Sequence, residues 1–224
     1  MAMKTSTSSN NSERAPLWPT LAALAAVCVL GVTALHQGTM GFAVVGTEDG
    51  RRLDIRRAPR LLPSAAIHQP QATTLARTLR DDDRVAIVSF VYTSCNAICT
   101  VLGTEFQQLQ QEVLKRGLQR QVRLLSISFD PRDDSRALAA YAQRQHADAQ
   151  VWQLASVDRA DQRQALLDAF GIVVVPAPLG EFVHNAAFHV VGPDGKLVRV
   201  VDYDNPAQAL DDALALSRSA GSRP

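Results

Sequence analysis

Val85-Ala86-Ile87-Val88-Ser89-Phe90-Val91-Tyr92, running straight into Thr93-Ser94-Cys95-Asn96-Ala97-Ile98-Cys99, decides the fold of this chain. The first eight residues are almost continuously apolar, β-branched or aromatic. That pattern belongs to a central strand covered on both faces. Thr93 and Ser94 can cap a helix. Ile98, Val101, Leu102, Phe106, Leu109, Val113 and Leu114 then recur near 3.6-residue spacing, and Gly117 can end the helix. Two thiols therefore stand where a buried strand hands over to an amphipathic helix.

Residues four apart on a helix are neighbours, with β-carbons about 5–6 Å apart, whereas a disulfide wants them about 3.8 Å apart. Cys95 and Cys99 can close a disulfide if Cys95 sits on the loop side of the cap, and they can clamp a soft metal ion across the wider gap. Both uses need the thiolate, which a helix N-terminus favours.

Outward from this segment the elements alternate. A second strand is predicted over Val122 to Phe129, broken by Asp130-Pro131. A helix begins at Asp134 or Ser135 and runs to about His146. Val151 to Leu154 is a short strand, and Asp158 caps a helix reaching about Phe170. A loop bearing Pro and Gly spans Gly171 to about Asn185. Strands at Ala186 to Val191 and Leu197 to Asp202 flank the turn Pro193-Asp194-Gly195. Asn205-Pro206 opens a last helix. Strands joined by helices are parallel and the hairpin adds antiparallel strands. The expected fold is α/β and thioredoxin-like: a central mixed sheet flanked by helices, with the cysteines at the carboxyl end of a central strand, where open α/β sheets place their chemistry.

The chain has 224 residues and a formal charge of +1, enough for one domain with a real core. The near-neutral balance gives no support for nucleic-acid binding. Residues 1–16 are polar and are read as disordered. Residues 17–35 carry no charge and just reach the roughly 20 apolar residues a membrane span needs. They read as a transmembrane anchor, and Lys4 and Arg14 ahead of them place the N-terminus in the cytoplasm. A cleaved signal peptide is the rival reading, with Val32-Thr33-Ala34 as the cleavage site. Either way the remainder faces an extracytoplasmic space. Residues 36–80 are read as a linker with an N-terminal hairpin, in which Arg51, Arg52, Arg56, Arg57 and Arg60 are solvated, and 81–224 as the thioredoxin-like domain. Cys28 lies in the apolar span and reads as a small apolar residue. That leaves one closely spaced pair in an oxidising compartment, which suggests a redox or metal role more than a stapled framework.

Five histidines are candidates for a third donor. His36 borders the span and His146 ends a surface helix, so both read as structural. His68 falls in the linker. His189 lies within a strand, where packing or an edge role accounts for it. His184 precedes the strand and hairpin that open beside the first helix's N-terminus, and so stands beside the dithiol.

Phe90-Val91-Tyr92-Thr93-Ser94-Cys95-Asn96-Ala97-Ile98-Cys99 resembles the Cys-x-x-x-Cys segment of the Sco/SenC family. Ser126-Ile127-Ser128-Phe129-Asp130-Pro131-Arg132-Asp133-Asp134 resembles that family's strand ending in Asp-Pro and an acidic turn. His184, with Gly192-Pro193-Asp194-Gly195 downstream, resembles its metal-binding histidine and hairpin. The similarity covers about residues 85 to 205. Asn96 and Thr100 stand where the family usually has prolines.

The resemblance implies a membrane-tethered copper-binding protein that delivers copper to, or prepares the thiols of, a cytochrome oxidase copper centre, with Cys95, Cys99 and His184 as ligands. It implies a copper-bearing oxidase subunit or another copper protein as partner, and a single-pass protein of the bacterial inner membrane with its soluble domain in the periplasm. Two thiolates and an imidazole are a soft set suited to Cu(I) that can also hold Cu(II). Such a protein is a metallochaperone rather than an enzyme with turnover. The alternative is a periplasmic thiol-disulfide oxidoreductase using Cys95 and Cys99 without metal. Asp130 and Asp134 are expected either to shape the site from behind its ligands or to serve as a turn and a helix cap.

Overall fold

The structure is a computed structural model and describes residues 18–38, 47–69, 71–94 and 98–221. Residues 1–16, Leu17 and Cys95 lie outside the described residues. The chain divides into two compact units, residues 1–49 and 50–224.

In the first unit, helix α1 (Trp18–Gly38) runs for 21 residues without a charged side chain, and none of its residues is buried. At 1.5 Å per residue it is about 31 Å long, the thickness of a bilayer's hydrocarbon core. It is thus long and apolar enough to cross a membrane. Cys28 is exposed on it.

The second unit is built on an eight-stranded mixed sheet. Its first six strands in chain order are β1 (Arg60–Leu61), β2 (Ala66–Gln69), β3 (Gln71–Thr74), β4 (Val85–Val91), β5 (Val122–Ser128) and β6 (Trp152–Ser156). A separate two-stranded sheet pairs β7 (Val174–Pro176) with β8 (Phe182–His184). The main sheet then closes with β9 (Ala187–Val191) and β10 (Lys196–Asp202). Across it the order is β1-β10-β9-β4-β5-β6-β2-β3. β4 pairs with β5, and β5 with β6, in parallel; β9 lies antiparallel against the other side of β4. Every residue of β4 and β5 is buried, as their apolar runs require.

Side chains alternate between the two faces of the sheet. Ala86, Val88 and Phe90 join one cluster with Leu125, Ile127, Leu166 and Phe170. Val85 and Ile87 join the other with Leu102, Phe106, Trp152, Phe188 and Leu210. Helices α4 (Ile98–Lys115) and α7 (Pro206–Gly221) cover the second face, where Tyr141 of α5 (Ser135–Arg144) also packs. The first face is covered by α6 (Ala160–Phe170) and α3 (Leu75–Arg80), and by Ile55 from α2 (Thr47–Arg57).

Residues 50–80, which carry no long apolar period, contribute Ile55, Leu62, Ile67, Leu75 and Leu79 to the first cluster. The arginines read as solvated divide. Arg51 donates to the Phe170 carbonyl, Arg52 makes a bidentate pair with Asp202, and Arg60 donates to the Ala169 carbonyl at 2.9 Å. A planar guanidinium reaches carboxylates and helix-end carbonyls that sequence periodicity does not reveal.

At the end of the sheet where β4 and β5 begin, Arg123 is buried with 2% of its side chain exposed. It meets Asp82 at 3.2 Å and donates to the Thr78 carbonyl at 3.1 Å. Asp82 is also gripped by Arg84 at 2.6 and 2.7 Å. Removing one partner of a buried ion pair strands the other charge and costs about 3–5 kcal/mol. Asp82→Ala should therefore lower the unfolding free energy by about 3 kcal/mol, the low end of that range because Asp82 is partly exposed. Arg123→Met should cost less, since Asp82 keeps Arg84. Urea unfolding of the two variants measures the difference, and equal losses would contradict this account of the pair.

Candidate functional site

Phe129, the first residue after β5, donates its backbone N–H to the Val91 carbonyl at 3.1 Å. This bond carries the parallel pairing one step past β5 and sets Tyr92 beside Phe129, with ring centroids 5.4 Å apart. Two more rings close on them. Phe182 lies 5.2 Å from Tyr92 and 5.5 Å from Phe129, both edge-on. The imidazole of His184 lies 5.0 Å from Phe129 and 6.2 Å from Tyr92. Such edge-to-face contacts each add about 0.5–1.5 kcal/mol beyond area burial.

The sequence places His184 in a loop; it lies in β8, paired with Val174. Strands of three residues are too short for a two-residue period to register against nearby Pro and Gly. Alternation along β8 turns Phe182 and His184 inward and leaves Val183 exposed. The base of this hairpin is fixed by Asn185, which accepts from Val173 N–H at 2.7 Å and donates to the Gly171 carbonyl at 3.0 Å. Gly171 itself ends α6 at φ 69°, with Ile172 N–H bonded to the Leu167 carbonyl at 2.8 Å. That left-handed position is one glycine adopts without strain. Tyr92 holds the hairpin's inner side: its hydroxyl donates to Glu181 Oε2 at 2.7 Å and accepts from Phe182 N–H at 3.3 Å.

His184 is buried, and its Nδ1 lies 3.1 Å from the Asn185 carbonyl. Burial pushes its pKa below the usual histidine value, against the opposing pull of that carbonyl. The ring is therefore neutral at physiological pH, the form in which imidazole binds metals.

Of the three residues the sequence singles out, the structure describes His184 fully. For Cys99 it describes the backbone, in the first turn of α4. Cys95 lies outside the described residues. The ring of Tyr92, which in sequence stands three residues before Cys95, packs against His184. Among the other histidines, His68 pairs with Asp158 at 2.7 Å. His146 takes φ 52° just beyond α5. His189 is fully buried in β9 and packs edge-on against Phe90 and Phe170 at 6.1 and 5.1 Å. His36 lies in the last turn of α1.

The acidic turn after β5 divides its labour. Asp134 caps α5, accepting from Ala137 N–H at 2.8 Å. Asp130 is buried and holds Arg132 through contacts of 2.6 to 2.9 Å, and Arg132 reaches on to the Gly180 carbonyl at 2.7 Å. Asp133, which sequence reasoning passes over, touches the cysteine-bearing segment. Its carboxylate accepts from Thr93 N–H at 2.7 Å and from the Thr93 and Ser128 hydroxyls at 2.6 Å each. The only sequence signal was its place in an acidic turn beside the strand that leads to Cys95.

The SCO1/SenC family profile matches residues 75–217, more than half of the chain. This chain belongs to the SCO1/SenC family. It is 27% identical over 140 residues to a protein described as an SCO1 homolog from Bacillus subtilis, covering 61% of this chain and 70% of that one. Its fold is similar to that of BsSco, described as a member of the Sco family of cytochrome c oxidase assembly proteins and as having a disulfide switch. That match has TM-score 0.61 and 21% identity, over 72% of this chain and 95% of the other. It is also similar to yeast Sco1 solved with copper bound, at TM-score 0.57 and 18% identity, over 74% of this chain and 91% of the other. The thioredoxin-like fold expected from the order of elements is thus found.

Burial raises the pKa of the Asp130 carboxyl, but the side-chain and backbone bonds from Arg132 outweigh it and hold it below the usual carboxylate range. A group with a lowered folded pKa contributes stability that is present above its unfolded pKa of about 3.9 and is lost as pH falls through the folded value. Asp130→Asn should therefore differ from the parent most at neutral pH, with the parent's thermal midpoint converging on the variant's below about pH 4. A constant gap between the two pH profiles would refute this role of the Asp130–Arg132 pair.

Proposed function

We propose that this chain is a copper-binding protein that delivers copper to, or prepares the thiols of, a cytochrome oxidase copper centre or another copper protein. Cys95, Cys99 and His184 would hold the ion. The observation that carries this reading is the His184 imidazole packed against Tyr92, at the carboxyl end of the strand that leads into Cys95. The donor chemistry fits: two thiolates and a neutral imidazole make a soft set that suits Cu(I) and can also accept Cu(II). Bound copper would supply a soft, redox-capable centre there. The chain's own residues present a neutral ring, hold its tautomer through the Asn185 carbonyl and exclude water with Tyr92, Phe129 and Phe182. Family membership and the copper-bound yeast relative support the same assignment.

Helix α1 would tether the protein in a bacterial inner membrane with the folded unit, residues 50–224 rather than only the 81–224 expected from the sequence, in the periplasm. The length and composition of α1 support a span, and Lys4 and Arg14 ahead of it support that orientation.

A thiol-exchange role is the second reading. It is favoured by the disulfide switch described for BsSco and by Cys99 standing in the first turn of α4. The two readings separate on His184.

In the full chain purified in detergent, His184→Ala should leave the fold intact by circular dichroism. It should lower copper affinity by more than about 100-fold, beyond what losing a mere outer partner costs. Reduction of a partner disulfide should require both cysteines and survive in His184→Ala. Unchanged copper affinity in that variant would sink the three-ligand site.

A further inference from the structure

Thr93 stands two residues before Cys95, and each of its backbone and side-chain polar groups is held by a charged side chain. Asp133 takes the N–H at 2.7 Å and the hydroxyl at 2.6 Å, and Arg144 donates Nη2 to the carbonyl at 2.9 Å. Asp133 is itself buried and anchored from below by the Ser128 hydroxyl at 2.6 Å. Ser128 ends β5, and its Oγ also accepts from Asp130 N–H at 3.2 Å. The same turn reaches the other half of the site, where Arg132 holds the Gly180 carbonyl at 2.7 Å and packs over the Phe182 ring at 5.4 Å.

We infer that Asp133, assisted by Arg144, is a positioning residue for the dithiol. It fixes where the chain leaves β4 for Cys95 relative to the hairpin that carries His184. In its consequence for copper this rests on the reading proposed above. The carboxylate acts as a geometric acceptor for three donors that converge on it. A charge is not required. An asparagine oxygen can accept from Thr93 N–H and the Ser128 hydroxyl, while its amide donates to a rotated Thr93 hydroxyl. An alanine leaves the Thr93 N–H without that partner and releases the segment.

The test compares Asp133→Ala, Asp133→Asn and Thr93→Val with the parent full chain in detergent. Copper affinity is measured by competition with a Cu(I)-chelating dye. The reaction rate of the reduced, metal-free thiols is measured with a chromogenic aromatic disulfide, and stability by urea unfolding. Asp133→Ala should weaken copper binding by about 10–100-fold, the range for losing an outer partner of a metal site, and should shift the thiol rate as well. Asp133→Asn should restore both, and Thr93→Val should fall between. Parental affinity and thiol rate in a folded Asp133→Ala would overturn the inference, as would Asp133→Asn failing as badly as Asp133→Ala. If Asp133→Ala does not fold, Thr93→Val decides by the same two measurements. A parent chain that binds no copper while its thiol rate still responds to Asp133→Ala would refute the copper reading and leave the positioning role standing.

Discussion

The parallel pairing of β4 with β5 is the constraint on which the rest of this structure depends. Both strands are buried along their whole length, so a slip of one residue would turn every side chain to the wrong face. Fixed register means that the two strands end level, and the bond from Phe129 to Val91 continues the ladder into the loops. The segments leaving the two strands are therefore delivered to one place: Tyr92 and Thr93 from β4, Phe129 and the acidic turn from β5. The aromatic cluster, the Asp133 contacts and the placement of His184 all depend on that alignment.

The hydrogen-bonding side chains at this end of the sheet serve alignment. Asp133 and Arg144 act on the cysteine-bearing segment, while Asp130 acts through Arg132 on the hairpin. Each carboxylate is paired or hydrogen-bonded, so burial does not leave it stranded.

Much of this was legible in the sequence because the informative elements are long or strongly periodic. The strand over Val85 to Tyr92 ends within one residue of β4. The amphipathic helix ends before Gly117 as its spacing implies, and Pro193-Asp194-Gly195 joins β9 to β10. The opaque parts fail for identifiable reasons. Residues 50–80 bury isolated apolar residues from short elements, so no period builds up. β7 and β8 are three residues each, and His184 therefore reads as loop. Asp133 is indistinguishable by composition from Asp130 and Asp134. Which of the three faces Thr93 depends on a turn whose shape only the folded chain reveals.

Among the described residues the β7–β8 hairpin pairs only with itself and lies outside the eight-stranded ladder. Its ties to the domain include the Tyr92 hydroxyl, the Arg132 guanidinium and the Asn185 amide, contacts worth on the order of 1 kcal/mol each. Local opening draws on such low-cost elements first, while core strands exchange only with global unfolding. The His184 imidazole rides on a hairpin separate from the sheet that contains β4. The amides of this hairpin should therefore exchange with solvent before those of β4 and β5, although its two inward side chains belong to the aromatic cluster.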